Sequence, residues 1–588
     1  MKQNELLLRH SFRSYSLKMM ANYLMSFMGS IIDGIVISRF LGVDAMAAFQ
    51  IVAPLIALCA MLSMTFSMGL QTLVSGCLGG GRMEEAKSYY TTTMIGLLPV
   101  ALLFALGVYF LAEPLVALLG ASGESAYLAD EAAAYLHGVA PAFGLIIFMP
   151  SITSILFMEG NSKYSMISIG CQLVINIVGD FTNAFYLHWG LLGMGLATSL
   201  CNIVGVGVML YGKVTLKGGI GFTCIGLSFR KFLSVLSIGV PSALSELYYS
   251  IQTLVVNHIL LLVSTGTAVA AFGIVSSVES IFSPILFGVA TTALTIGGLF
   301  HGERDKDGLC RLFRGSLMNA VVAGILIVPV VYLTAPLLVQ LFMDSDSPAF
   351  DKSVHVLCIY VLIFPFYGIN KMLQDFYLGC DSIRLTYLTT LLENLVCIIL
   401  AVSVLGYFFG EDGVWFGFVV GEALATLCTY LFVAIAKKRI PRTAEDMLFL
   451  PEVFDQVRNT ALEWSVTTSE DMKETSREAK AFMLEHGSDE KKADLMAEYI
   501  EEIGGIVTLW GADSGKRYYA DFRLVGEPES DKWTIRVRDN SKQFDLQKWQ
   551  TVHSDVEQKN YAIRTVDQMA KDSNFSYTLE MNYLFLTL

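Results

Sequence analysis

The chain has 588 residues, 54% of them apolar and only 16% charged, against about 25% charged in a soluble domain. Its net charge of −13 is uneven: up to Arg439 there are 22 Lys+Arg and 25 Asp+Glu, whereas the last 149 residues hold 18 and 28. A nearly neutral membrane body with an acidic, water-soluble tail excludes a single soluble enzyme, and with neither part basic it excludes a nucleic-acid binder working by charge.

A helix needs about 20 mostly apolar residues to cross a bilayer, and the hydropathy pattern predicts about twelve such spans. They lie near residues 15–38, 48–77, 88–111, 132–157, 164–187, 189–212, 232–262, 267–299, 315–338, 353–378, 385–409 and 413–436. The first has four basic residues, Lys2, Arg9, Arg13 and Lys18, before its apolar run and no small-residue cleavage site, so it reads as a span and not a removed signal peptide. Lys2, Arg9, Arg13, Lys18, Arg82, Lys163, Arg230, Arg304, Arg311 and Arg384, among others, fall on one side of such a body, and only Arg39 and Lys352 on the other. The positive-inside rule then places both termini and the tail in the cytoplasm, beneath a plasma (inner) membrane. All ten cysteines lie in the body without a C-x-x-C pair and read as free thiols. The histidines form no zinc motif, and no metal or tightly bound cofactor is expected.

An internal repeat recurs at an offset of about 220 residues. AEPLVALL around Pro114 matches TAPLLVQLF around Pro336, LGGGRMEEA matches FHGERDKDG, and FMEGNSKYSMI matches FYLGCDSIRLTYL. The expected fold class is therefore an all-α polytopic membrane protein of two six-helix bundles, followed by a soluble two-layer α/β domain. The lobes are 1–212 and 232–440, joined by the loop 213–231, and the soluble domain is 450–588. Facing repeats suit alternating access to a substrate held between them.

A charge at mid-membrane costs at least about 2.5–3.5 kcal/mol, so every ionisable group there is a functional candidate. In the first half these are Asp33 and Asp180; in the second, Glu246, Glu279, Lys371, Asp375, Glu393 and Glu422. Lys371 and Asp375 stand one turn apart and read as an ion pair, while for each glutamate a structural hydrogen bond is as good a reading as transport. Asp180 has company: Asn176 stands one turn before it on the same helix face, and Thr198 lies on the next span. Two carboxylates with amide and hydroxyl oxygens suit a proton or a small hard cation such as sodium. An Asn-Asp pair capping a broken helix is the alternative.

Spans one, five and six, read as SIIDGIVISRFLGVDAMAA, EGNSKYSMISIGCQLVINIVGDFTNAF and GLLGMGLATS, resemble the multidrug and toxic compound extrusion (MATE) family over residues 10–440. The resemblance implies a cation-coupling site at Asp33, Asn176, Asp180 and Thr198, and export of small organic cations in exchange for sodium or protons. It also implies a substrate-cavity acid on span seven; Glu246 follows Pro241 there about one turn earlier than that pattern, so Glu279 is the other candidate. A flippase for a lipid-linked sugar and a receptor that signals through its tail are the competing readings.

The tail reads as two helices (SREAKAFMLE and KADLMAEYIEEIGGIV), a hairpin in FRLVGEPESDKWTIRVRDN, a helix in YAIRTVDQMAKD and a last strand in SYTLEMNYLFLTL. This order resembles the histidine-kinase-type ATP-binding fold of the anti-sigma-factor kinases. Glu502 and Asp539 match its helix glutamate and adenine aspartate. No Asn stands four residues beyond Glu502 to hold magnesium, and Asn540, Ser541, Lys542 and Gln543 replace the glycines. The resemblance therefore implies a degenerate module with a vestigial nucleotide site at Glu502 and Asp539, in which ATP binding is not expected. Such a module would bind a cytosolic regulatory protein. Gly511–Arg517 looks like a P-loop but is one residue short and ends in Arg, and it is set aside.

Overall fold

The computed structural model describes residues 4–121, 126–215, 219–264, 266–343, 345–347, 349–466, 469–512, 519–527, 532–541, 543 and 572–588. Eleven described helices are long and apolar enough to cross a membrane. They are α1 (Asn4–Val36), α2 (Val43–Gly79), α3 (Met83–Phe110), α4 (Ala126–Met158), α5 (Ser162–Thr182), α6 (Gly190–Thr215), α7 (Phe229–Val263), α8 (Gly266–Gly302), α9 (Lys306–Gln340), α10 (Phe350–Gly379) and α11 (Ile383–Lys437).

The 55 residues of α11 would reach about 80 Å as one rod, against about 30 Å of hydrocarbon. The chain instead turns at Gly410, whose φ of 65° is left-handed, a conformation that glycine takes without a Cβ clash. Its two arms then pack on each other. A Cβ added at Gly413 would lie 2.0 Å from the Leu405 carbonyl oxygen, one at Gly417 2.6 Å from the Val402 Cα and one at Gly421 2.7 Å from the Ile398 Cα. Partner numbers that fall as the glycine numbers rise describe two antiparallel helices in backbone contact.

α1–α6 form a first bundle, in which α4 packs on α2 and α6, and α5 on α6; α7–α11 form a second, centred on α8, α9 and α10. The second has its own core of Val256, Phe272, Ile327, Tyr360 and Trp415. The bundles meet along α1 with α8, and α2 with α7 and α8. Here Tyr15 and Tyr23 reach Thr295 and Thr291 at 3.4 and 3.2 Å, and the Gln71 amide donates to Thr295 at 2.5 Å. These contacts lie toward the end that carries the tail. There, at a seam between α2 and α8, the helices touch backbone to backbone: a Cβ at Gly79 would stand 1.9 Å from the Leu299 oxygen, and one at Gly302 2.1 Å from that of Gly76.

Beyond α11, a Thr443/Asp446 capping box starts a short helix, 444–447, and a second, 453–459, leads into the tail. The tail holds β1 (Ala461–Val466), α12 (Ser469–Glu485), α13 (Glu490–Ala512), β2 (Ala520–Glu527), β3 (Lys532–Asp539), β4 (Asp572–Thr578) and β5 (Met581–Thr587). The sheet is antiparallel in the order β1-β2-β3-β5-β4. Side chains alternate between its faces. Phe522, Leu524, Trp533, Ile535, Val537, Leu584 and Leu586 pack with Met483, Met496 and Ile500 of the helices. On the opposite face Met581 and Tyr583 join the core of the first bundle.

The expected hairpin is β2–β3, with Phe522 opposite Val537. β1 was not expected. The expected helix at YAIRTVDQMAKD lies outside the described residues except for its last, Asp572, which begins β4. The expected single last strand is corrected to a hairpin, because Leu579 and Glu580 both take left-handed φ, 55° and 63°, and reverse the chain between β4 and β5. Alternating apolar residues on either side concealed the turn, which has neither the Asn nor the Gly that normally announces one.

Candidate functional site

Asp33 and Asp180 reach each other through local packing. A Cβ at Gly179 would lie 2.7 Å from the Ala197 Cβ, so α5 and α6 approach closely one residue away from Asp180. The carboxyl groups of Asp33 and Asp180 and the Asn176 amide then face one another. Asp180 is sealed from solvent at 0% exposure and Asn176 is at 4%. Both Asp180 oxygens, Asp33 Oδ1 and Asn176 Nδ2 are buried without a hydrogen-bond partner among the described residues. Unpaired carboxylate oxygens in a dry interior are costly, and a proton or hard cation between them relieves that cost.

Two further features surround the pair. The chain widens into π-helical turns at Ile37–Leu41 and Asn183–Leu187, just past the two acids; such turns recur at functional sites. Tyr135 of α4 stands within electrostatic reach of both acids, a neighbour the sequence reading missed. Its signal was a lone phenol in the alanine-rich run AAAYLHG. Thr198 sits on the adjacent helix, but its hydroxyl donates to the Met194 carbonyl, 3.1 Å away. The structure thus brings Asp33, Asn176 and Asp180 together and ties Thr198 to its own helix.

The second bundle gathers its acids separately. Glu279 accepts a hydrogen bond from Tyr360 at 2.7 Å. Glu422 accepts one from Asn370 at 2.7 Å, and the Asn370 oxygen accepts from Thr426 at 2.8 Å. Glu393 is buried within electrostatic reach of Glu279, Lys371 and Asp375, inside another π-helical turn, Leu392–Cys397. Glu246 is exposed and within electrostatic reach of Lys371. The expected Lys371–Asp375 ion pair does not form among the described residues. Lys371 reaches Gln374 at 3.4 Å and lies over the Phe287 ring, 5.3 Å from its centre, while Asp375 turns to Thr291.

In the tail, Asp539 accepts from the Ser541 N–H at 2.8 Å and from Asn582 at 3.0 Å. Both bonds fall on Oδ1 and tie the carboxylate to its own sheet. Glu502 is on α13, and no described contact joins it to Asp539. A cavity of about 620 Å³ lies far from either acid cluster, between the tail sheet and both bundles, lined by Arg82, Glu85, His301, Arg304, Arg523 and Arg536 among others.

Around it runs an ion-pair network. Asp305, after α8, meets Arg523 of β2 at 2.8 Å, and Glu303 pairs with Arg536 and, at 3.3 Å, with Arg538, both of β3. Arg311 of α9 adds Glu463 of β1 at 3.2 Å. Burial pushes the Asp305 carboxyl up, but Arg523, Arg311, the Gly308 N–H and Arg538 together hold it below the usual carboxylate range. Asp521, buried with a weaker share of those cations, is pushed up to about 6.

A family model described as MatE matches residues 19–182 and 241–403, two blocks at the spacing of the internal repeat. The chain is 22% identical over 441 residues to the multidrug export protein MepA of Staphylococcus saprophyticus, covering 74% of this chain and 95% of that protein. It is 20% identical over 444 residues to the multidrug export protein MepA of Staphylococcus aureus strain COL, with the same coverage. Its fold matches an outward-facing multidrug resistance MATE family transporter of the MOP superfamily with a TM-score of 0.68, at 20% identity over 73% of this chain and 95% of that one. A MOP superfamily transporter from Pyrococcus furiosus, noted for the reverse polarity of its binding pocket, matches at 0.67, with 20% identity over 74% and 96%. With matched blocks covering more than half its length, one in each helical bundle, the chain belongs to the MatE family of multi-pass membrane transporters and is not an enzyme.

Proposed function

We propose that this chain is a secondary antiporter that exports small organic cations across the plasma membrane in exchange for sodium or protons. One observation carries the reading: the carboxyl group of half-buried Asp33 facing that of buried Asp180 beside Asn176, with Asp33 Oδ1 and both Asp180 oxygens orphaned. The coupling ion loads this cluster from the outer side and draws α1 and α5 together. Repacking of the first bundle then lowers the affinity of the central cleft for its cargo. Glu246 and Glu279 supply counter-charge to that cargo, and Thr198 offers its oxygen lone pairs to the ion while its proton stays on the Met194 carbonyl. The names of the Staphylococcus relatives support multidrug export.

The body crosses the membrane twelve times, α11 supplying two crossings through its Gly410 turn, and the lobes are 1–212 and 232–440. The basic loops place both termini and the tail, 450–588, in the cytosol, where the tail regulates transport or binds a regulatory protein without using ATP. A flippase for an anionic lipid-linked sugar would need a basic cleft, and Lys371 is outnumbered there by Glu246, Glu279, Glu393 and Glu422. The test is efflux of a cationic dye from inverted vesicles under separate sodium and proton gradients. Transport driven by one gradient and lost in Asp33→Asn and Asp180→Asn supports the reading; transport driven by neither overturns it.

A further inference from the structure

The tail sheet reaches both bundles. On the second, Arg523, Arg536 and Arg538 grip Glu303 and Asp305 with side chains 6% exposed or less. On the first, the β4–β5 turn is the anchor. The Leu579 N–H donates to the Met158 carbonyl at 2.8 Å, Ser14 donates to Glu580 at 3.1 Å, and Lys18 pairs with Glu580. Asn574 donates to the Gly81 carbonyl at 2.8 Å. Leu579 and Glu580 hold a left-handed backbone that residues with a Cβ avoid, and such strain persists where its surroundings enforce it.

Between the two anchors lies the α2–α8 seam. Gly81 is two residues beyond the end of α2, and Glu303 is next after the end of α8. Opening the cleft toward the tail requires these two ends to part, and one hydrogen-bonded sheet cannot follow both. The ion pairs of the two anchors differ in exposure. Lys18 and Glu580 keep about a third of their side-chain surface in water, 31% and 32%, whereas Asp305 and Arg523 keep 1% and 4%. An exposed pair contributes at most about 1 kcal/mol, so the Lys18–Glu580 contact is the one a charge change can loosen mildly, while Leu579, Met581 and Tyr583 stay packed on the helices.

We propose that the tail sheet is a releasable clasp: docked, it keeps the seam between α2 and α8 shut and holds the transporter open only to the far side. Lifting the β4–β5 turn off Lys18, Ser14 and Met158 frees the seam and lets the cycle proceed. The inference rests on the antiporter reading for what is restrained, while the clasp itself is a contact that can be measured without transport.

The test uses the full chain in nanodiscs, with hydrogen exchange read over residues 72–81 and 294–303 and ethidium efflux read in vesicles. Lys18→Glu and Glu580→Lys are each expected to speed exchange in both segments by up to about fivefold, the scale of an exposed ion pair, and to accelerate efflux. The double variant, with the charges exchanged, is expected to restore both values. Asn574→Ala, which removes one neutral hydrogen bond, moves exchange the same way by less and serves if charge reversal prevents folding. Single variants that loosen the β4–β5 turn while the seam stays as protected as in the wild type overturn the clasp. Seam exchange that responds as described, with no ethidium efflux in any form of the chain, upholds the clasp and counts against the antiporter reading alone.

Discussion

Arg523 meets Asp305 at 2.8 Å across the junction of tail and body, with both side chains nearly sealed from solvent. Asp305 also accepts from the Gly308 N–H at 2.7 Å, capping α9, so one carboxylate starts a helix and receives the tail. Breaking one partner of a buried pair leaves an uncompensated charge and costs about 3–5 kcal/mol. Asp305→Asn is expected to lose tail docking on that scale, seen as a separate early transition in thermal unfolding of the full chain.

The same carboxyl sets a pH dependence. A group held below its ordinary value stabilises the docked state above that value and ceases to do so as pH falls. Below about pH 4, Glu463 and Asp521, which burial pushes upward, already carry protons, and Asp305 is left to titrate. Docking is expected to loosen on acidification through that window in the wild type and to be flat there in Asp305→Asn. Hydrogen exchange of β2 and β3 against pH checks both.

Asp180→Asn removes one of two facing carboxylates and with it the reason for an ion to bind. An ion that binds only the folded state raises apparent stability with its concentration. The melting temperature of the wild type is expected to rise with sodium or with acidity, whichever ion couples, and that of Asp180→Asn to stay constant with efflux abolished.

Gly179→Val tests the helix contact that presents Asp180. A Cβ 2.7 Å from that of Ala197 must push α5 off α6, and overpacking of this kind costs about 1–3 kcal/mol. Loss of ion-dependent stabilisation is expected at a temperature where the protein remains folded. The same substitution at Gly170, which has open space around it, is the control.

Tyr360→Phe takes the hydroxyl from Glu279 and leaves its carboxylate one donor short. An unsatisfied buried acceptor costs about 1–3 kcal/mol, so cargo affinity is expected to change by about tenfold or more. The concentration of coupling ion needed for half-maximal efflux should stay as it was, because Glu279 and the Asp33 pair sit in different bundles.

The helical body was readable because hydropathy at bilayer length is a strong signal, and Asp33, Asn176 and Asp180 because polar groups in such runs are rare. What Thr198 does with its proton was not legible: the hydroxyl donates to the carbonyl of Met194 one turn back, a bond that spacing does not reveal. The turn at Leu579 and Glu580 was illegible because contacts with Lys18, Ser14 and Met158, more than 400 residues away in the chain, hold a conformation their own residue types disfavour. The hairpin of β2 and β3 was legible but the task of its arginines was not; their partners, Glu303 and Asp305, sit in a loop read for its likeness to LGGGRMEEA and for the positive charge of Arg304.

In the sheet, β5 lies between β3 and β4 although it follows both in sequence. A ribosome therefore delivers a strand from inside the sheet after the membrane helices have been made, and until then β3 has an unfilled edge and Lys18 lacks Glu580. Each new molecule passes through an interval in which its helices are in place and nothing latches them.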